Sequence, residues 1–308
     1  MHSKEFSKIL DQALAIKSEY LWIKKDSVQT ANSQEGIVIH TEMPFEAMIR
    51  SDEASIFKKL NSELEFETDH GLTVKHSNGY FKLSVLNPIF FPGMNSIETL
   101  QSVTVEGDQL KYGLSCCVKT VSSDREFLNG VWFMDDTLFS ANGVQLTWYP
   151  FDSGLYFLLG TDSVRVLNKV IGSEVHIDLG NAVRFTSGNV TYNTLVIDAK
   201  TPKKIVLPEP TGTWQLNIEE LLETVKRCIL FDNRIRFTFM KDTLSLFSQS
   251  EKGVIEESIV IEGDSETTLY MDPQGLLCLN TGVATVTQRG GLLFETNEKV
   301  YINPLANV

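Results

Sequence analysis

Lys25-Asp26-Ser27-Val28-Gln29-Thr30-Ala31-Asn32 leads toward Gly36, and Asp135-Asp136-Thr137-Leu138-Phe139-Ser140-Ala141-Asn142 leads into Gly143. A third stretch, Lys241-Asp242-Thr243-Leu244-Ser245-Leu246, comes before Gly253. Each has an aspartate, then Ser or Thr, then a branched apolar residue. Asp26, Asp136 and Asp242 stand 110 and then 106 residues apart. A second set of segments keeps the same step. Glu65 to Leu86, His176 to Ile197 and Ala284 to Leu305 each read as two alternating runs about a turn. The turns fall at Asn78-Gly79, Gly188-Asn189 and Thr296-Asn297, and Leu72, Val183 and Leu292 lie 111 and 109 residues apart. Two independent markers with one period predict three homologous domains, here bounded as 1–95, 96–206 and 207–308.

The thirds share an internal order. A helix comes first: Phe6, Ile9, Leu10, Ala13 and Leu14 follow the stripe of an amphipathic helix. Leu110, Leu114, Cys117 and Val121 repeat it, as do Leu221, Leu222, Val225 and Ile229. A hairpin follows, clearest where Ile235, Phe237 and Phe239 alternate with polar residues. A shorter helix is predicted over Asp52 to Leu60 with Ser51 as its cap, over Asp162 to Val170 with Thr161, and weakly over Asp272 to Asn280. A last hairpin closes each third. The class is α+β, with two helices per repeat packed on antiparallel sheets. Proline-bearing linkers are expected at 87–94 and 201–208.

Charge limits the function. The 308 residues carry 27 Lys and Arg against 40 Asp and Glu, a formal net charge of -13. By thirds the basic and acidic counts are 10 and 13, 9 and 12, and 8 and 15, so no third is a basic module. A conventional sequence-reading DNA binder is disfavoured. The four cysteines, Cys116, Cys117, Cys228 and Cys278, include no C-x-x-C pair, which argues against a disulfide framework or structural zinc. The longest strongly apolar run, Leu155 to Leu159, cannot span a bilayer, and Met1 to Glu5 has no signal-peptide core. These features predict a cytoplasmic protein.

Enzyme chemistry finds no support. His2, His40, His70, His76 and His176 lack metal-ligand spacing, and neither a phosphate-binding loop nor a nucleophile elbow occurs. Asp135-Asp136 reads as part of a hairpin turn. The chain is expected to be no enzyme and to need no cofactor or metal.

Along nearly its whole length the chain resembles the bacterial-type β sliding clamp, the polymerase III β processivity factor. Tyr80-Phe81-Lys82-Leu83-Ser84-Val85-Leu86 before Phe91-Pro92 is similar to the end of that family's first domain. Arg125-Glu126-Phe127-Leu128-Asn129-Gly130-Val131 and Ser140-Ala141-Asn142-Gly143-Val144-Gln145-Leu146 resemble its Leu-Asn-Gly and Ala-Thr-Asp-Gly-x-x-Leu segments. Pro202 through Pro208, Cys228-Ile229-Leu230-Phe231-Asp232-Asn233 and Val300-Tyr301-Ile302-Asn303-Pro304-Leu305 resemble later landmarks. The short chain would suit a phage-encoded version.

The resemblance implies two chains joined head to tail in a closed ring of six domains, encircling duplex DNA and tethering a polymerase. It also implies a clamp loader as partner. A partner-peptide pocket would use Leu128, Ala141, Gly143, Val144, Leu146, Pro202, Val206, Tyr301, Asn303, Pro304 and Leu305. Val144-Gln145 and Asn303 depart from the family's usual polar-Arg pair and Met. The DNA-facing lining would be Lys4, Lys8, Lys17, Lys58, Lys59, Lys111, Lys119, Arg125, Arg165, Lys169, Lys226 and Arg227. Such a ring holds by closure, so a modest basic lining suffices, and no base-reading contacts are expected. The dimer seam would use Phe90, Phe91 and Met94 against Ile229 and Leu230. A repeat-built peptide-binding scaffold or a viral structural protein without DNA encirclement are the alternative readings.

Overall fold

A computed structural model describes residues 1–69, 71–94, 96–200 and 206–304. One order of elements recurs along it. The first pass is α1 (Ser3–Ala13), β1 (Tyr20–Ile23), β2 (Ser27–Ala31), β3 (Glu35–His40), β4 (Ala47–Arg50), α2 (Ser51–Ala54), β5 (Glu65–Glu67), β6 (Leu72–His76) and β7 (Gly79–Leu83). The second is β8 (Thr99–Glu106), α3 (Gly107–Cys117), β9 (Gly130–Ala141), β10 (Gln145–Gly160), α4 (Thr161–Val170), β11 (Glu174–Gly180), β12 (Val183–Ser187) and β13 (Val190–Thr194). The third is β14 (Gly212–Asn217), α5 (Ile218–Cys228), β15 (Ile235–Phe239), β16 (Thr243–Ser250), β17 (Gly253–Gly263), β18 (Thr267–Met271), β19 (Val283–Gln288), β20 (Leu292–Glu295) and β21 (Lys299–Ile302). Among the described residues no helix is long and apolar enough to cross a membrane.

Two compact units result, and their border cuts through the second pass rather than between passes. The first holds residues 1–111 and 162–196, the second 112–161 and 197–308. In the first unit an eight-stranded antiparallel sheet runs β4-β1-β2-β3-β13-β12-β11-β8, beside a three-stranded sheet β5-β6-β7. Helix α1 buries Phe6, Leu10 and Ala13, while Lys4, Glu5, Lys8 and Asp11 face water. The Phe6 ring meets Phe57 edge-on at 4.9 Å. Thr30 ties helix to sheet by donating its hydroxyl to the Ala13 carbonyl at 2.5 Å.

In the second unit ten strands run β18-β15-β16-β17-β14-β19-β20-β21-β10-β9. Helix α5 starts where Asn217 Oδ1 accepts the backbone N–H groups of Glu219 and Glu220. Glu219 and Glu220 in its first turn and Lys226 and Arg227 in its last oppose the helix dipole favourably. Its buried stripe of Ile218, Leu221, Val225 and Cys228 packs into a core around Trp214, Phe237, Phe239 and Phe294. The buried Cys228 thiol is pushed up to about 11 by loss of water, then by the Glu257 charge.

Two strand joins are built alike, one in each unit. At the first, β13 pairs with β3, setting Thr194 opposite Glu35, Asn193 opposite Gly36 and Tyr192 opposite Ile37. At the second, β21 pairs with β10, setting Ile302 opposite Gln145, Tyr301 opposite Leu146 and Val300 opposite Thr147. The preceding turns match bond for bond. Asn32 Oδ1 accepts from the N–H groups of Gln34 and Glu35, and Asn142 Oδ1 from those of Val144 and Gln145. Leu195 donates its N–H to Gln34 O, and Asn303 donates to Val144 O.

Several local expectations need correction. Ser51 lies inside α2, where Arg50 occupies the cap position without a side-chain bond, and the helix tightens to a 3-10 turn at Ser55–Lys59. Thr161 bonds Asn129 Oδ1 through its hydroxyl, at the start of α4. The 272–280 segment is a 3-10 turn, Pro273–Cys278, capped by Asp272. His76 pairs with Gly79, so the β6–β7 reversal is Ser77-Asn78, one residue early. Asp135 and Asp136 sit within β9 at a bulge, not at a chain reversal: β10 has four residues between Pro150 and Leu155 where β9 has only Asp136, and Asp135 takes a φ of 58°. Asp135 is the single non-glycine with positive φ among the described residues.

Candidate partner-peptide site

The β9–β10 hairpin is apolar on both faces. On one face Val131, Phe133 and Leu138 stand opposite Leu159, Phe157 and Tyr149, with Phe133 stacked on Phe157 at 4.2 Å. This face meets α3. A Cβ on Gly113 would fall 2.5 Å from the Tyr149 ring, so glycine there lets helix and strand approach. Ser140 Oγ donates to the Cys117 carbonyl at 2.6 Å.

The other face pairs Trp132 with Leu158, Met134 with Tyr156, Phe139 with Trp148 and Ala141 with Leu146. Trp132, Phe139, Ala141 and Leu158 are buried, with Leu128, Met134, Leu146, Trp148, Ile197 and Ala199 packed half-buried against them. Two segments border this patch. The 3-10 turn Glu126–Leu128 takes the Trp132 indole N–H on its Phe127 carbonyl at 3.1 Å. Ile197 donates its N–H to Leu158 O at 3.0 Å. Beside Leu146, β21 brings Tyr301, whose hydroxyl donates to Arg289 O at 3.2 Å and whose pKa burial raises.

Of the residues expected at the pocket, Leu128, Ala141 and Leu146 meet in this patch, and Tyr301 adjoins it across the strand pair. Gly143 turns at a φ of 91° with open space around its missing Cβ, so backbone conformation, not crowding, requires glycine. Val144 and Val206 are exposed, while Asn303 and Pro304 are half-buried. Pro202 and Leu305 lie outside the described residues. Sequence reasoning missed Trp132, Met134, Trp148, Ile197 and Ala199. The signal was the unbroken apolar run Val131 to Met134, which marks a strand covered on both faces.

The expected DNA-facing residues divide. Lys4, Lys8, Lys17, Lys59, Lys119, Lys169 and Lys226 are exposed. Lys58 pairs with Asp11 at 2.6 Å, Arg165 with Asp162 at 3.0 Å, and Lys111 donates to the Ile171 carbonyl at 3.2 Å. Arg227 grips Glu257 through Nε at 2.8 Å and Nη2 at 2.5 Å. That hydrogen bonding holds the Glu257 carboxyl below the usual carboxylate range and raises Arg227. Arg125 stands apart from the helices, 5.9 Å over the Phe127 ring.

Of the expected seam residues, Phe90 and Leu230 are 66% and 68% exposed. Ile229 packs partly into the α5 core. Phe91 lies on Trp22 at 5.2 Å, and Met94 covers Gly36 so closely that a Cβ there would come 2.9 Å from Met94 Cγ. Both side chains are therefore engaged within their own unit.

No protein-family model matches the sequence, and none of the curated proteins searched matches it. Solved structures do. DNA polymerase III subunit beta from Pseudomonas aeruginosa is similar at 15% identity and a TM-score of 0.85, over 99% of this chain and 98% of that one. A putative DNA polymerase III beta subunit from Eubacterium rectale is similar at 14% identity and 0.86, over 99% and 98%. The DnaN sliding clamp from Bartonella birtlesii, bound to griselimycin, is similar at 17% identity and 0.86, over 100% and 99%. The chain has the fold of these proteins from end to end.

Proposed function

We propose that this chain is a DNA sliding clamp: two copies closing head to tail into a ring of six domains that encircles duplex DNA and tethers a polymerase by a short peptide. One observation carries the ring. The strand join used twice within the chain has a third pair of matching edges with no strand between them. Strand β7 pairs only with β6, and residues 253–260 of β17 pair only with β16, among the described residues. Unpaired edges invite another chain. Applying the shared register places Leu83 of one copy opposite Ile255 of the other, Lys82 opposite Glu256 and Phe81 opposite Glu257. Leu83 and Phe81 are half-buried on the side of Leu72 and Val74, as Ile255 is on the side of Ile259. Lys82 and Glu256 are exposed on the other side, with opposite charges. Closing the seam thus joins Leu83 to Ile255 and Lys82 to Glu256, while Phe81 comes opposite the Glu257 that Arg227 already holds, with exposed Leu230 near Lys252 at the start of the same edge.

The charge balance agrees. With acid in excess in every third, adhesion to phosphates is weak, and retention falls to topology. Tethering is assigned to the patch around Leu146 and Leu128, since a few desolvated apolar contacts supply most of the affinity for a short peptide. The three domains are read as 1–95, 96–206 and 207–308, with soluble, cytoplasmic work at the primer end and a loader that opens the seam.

Leu146→Arg tests the tether apart from the ring. It puts a charge into the apolar patch and should lower processive primer extension by the cognate polymerase at least about tenfold. The two-chain mass should stay unchanged. Full processivity in that variant would remove the patch from the tether.

A further inference from the structure

The apolar patch does not end at the residues around Leu146. It continues along the far half of the hairpin as a strip of Trp132, Tyr156 and Met134, with Phe127 beside it. The Trp132 and Tyr156 rings lie 5.9 Å apart, and Met134 stands directly opposite Tyr156. Trp132 is the buried floor, whereas Phe127 and Tyr156 are 38% and 42% exposed.

The strip ends in carboxylates. Asp135 and Asp136 follow Met134 at once, and Asp152 lies in the extra residues of the bulge, three before Leu155. All three are exposed, and among the described residues none is in an ion pair. The bulge itself is fixed: Asp135 adopts φ 58° and Gly154 φ 62°, and Ser153 Oγ donates to the Asp135 carbonyl at 3.3 Å. The opposite end of the strip carries Arg125, over Phe127. The strip is apolar along its length, acidic at one end and basic at the other.

We infer that the tethered partner is an extended peptide that lays an apolar side chain on Tyr156 and Met134 and sets a lysine or arginine against Asp136 and Asp152. This inference rests on the peptide-tethering reading above and adds the partner's charge and direction to it. An extended peptide advances about 3.3 Å per residue, and Asp136 follows Met134 by two residues across the bulge at Asp135, where the alternation of β9 resets. The basic residue therefore falls within about three positions of the anchor, because two residues of backbone bound the separation of Asp136 from Met134. Exposed carboxylates with no ion pair among the described residues favour such a partner and repel an acidic one.

The test is selection of phage-displayed random decapeptides on the full-length wild-type chain, on Asp136→Lys/Asp152→Lys, and on Leu146→Arg. Wild type should enrich an apolar anchor with Lys or Arg within about three residues of it. The double-lysine variant should bind the wild-type consensus peptide at least about tenfold more weakly by fluorescence anisotropy and should enrich Asp or Glu in place of the basic residue. Enrichment of apolar anchors without a basic neighbour, or one consensus for both proteins, overturns the inference and leaves the tether standing. Unchanged enrichment on Leu146→Arg overturns the tether reading itself.

Discussion

A chain carrying Ile255→Asp and Leu230→Asp is expected to sediment as a single subunit at micromolar concentration, where wild type is expected to sediment as two. Both side chains stand next to the free edge of β17, half-buried and exposed respectively. Covering a large apolar side chain at an interface is worth about 1.5–3 kcal/mol, so two losses remove roughly 3–6 kcal/mol from each seam. That is a fall of at least a hundredfold in association constant per seam, and the proposed ring has two. The carboxylate introduced at position 255 also adjoins Glu256 in sequence. Because neither residue is fully buried, the subunit should keep its far-UV circular dichroism. A two-chain mass in the double variant would mean that the β17 edge is not the seam.

The second large effect concerns folding. Trp214→Ala is expected to cost about 3–5 kcal/mol, measured by urea unfolding. Trp214 is fully buried, lies 4.7 Å from Phe239, and donates its indole N–H to Ser265 O at 3.1 Å. Gly212 and Gly263 make room for it: a Cβ on Gly263 would come 1.9 Å from Trp214 Cδ1. Gly263→Ala should therefore destabilise wild type through overpacking but do much less harm beside Trp214→Ala. Additive losses would contradict this account of the contact.

The repeat and its contents were legible because they rest on local chemistry. The helix stripes at Phe6–Leu10–Ala13 and Leu221–Val225 and the Gly188-Asn189 turn follow from side-chain periodicity and positive φ, both of which a short window displays. What escaped depends on distant partners. The Asp135-Asp136 pair has the composition of a turn, and only its pairing across from Leu155 makes it a bulge. Phe91 and Met94 read as seam residues from composition, and their half-buried contacts with Trp22 and Gly36, far off in sequence, are long-range properties. Trp132 and Trp148 were passed over because a motif drew attention to Ala141–Leu146, while the strand pairing that puts both tryptophans on one face is a long-range property. The free edges of β7 and β17 are likewise invisible until the two internal joins reveal a common register.

Retention on DNA of different topology tests the central claim most directly. Protein would be closed around a nicked circular plasmid, half of the sample cut once by a restriction enzyme, and both halves moved to about 0.5 M salt, where the screening length is only ~4 Å. A ring that holds by enclosure stays on the circle and is lost from the cut molecules through their ends. Equal retention on both, or equal loss from both, would contradict enclosure.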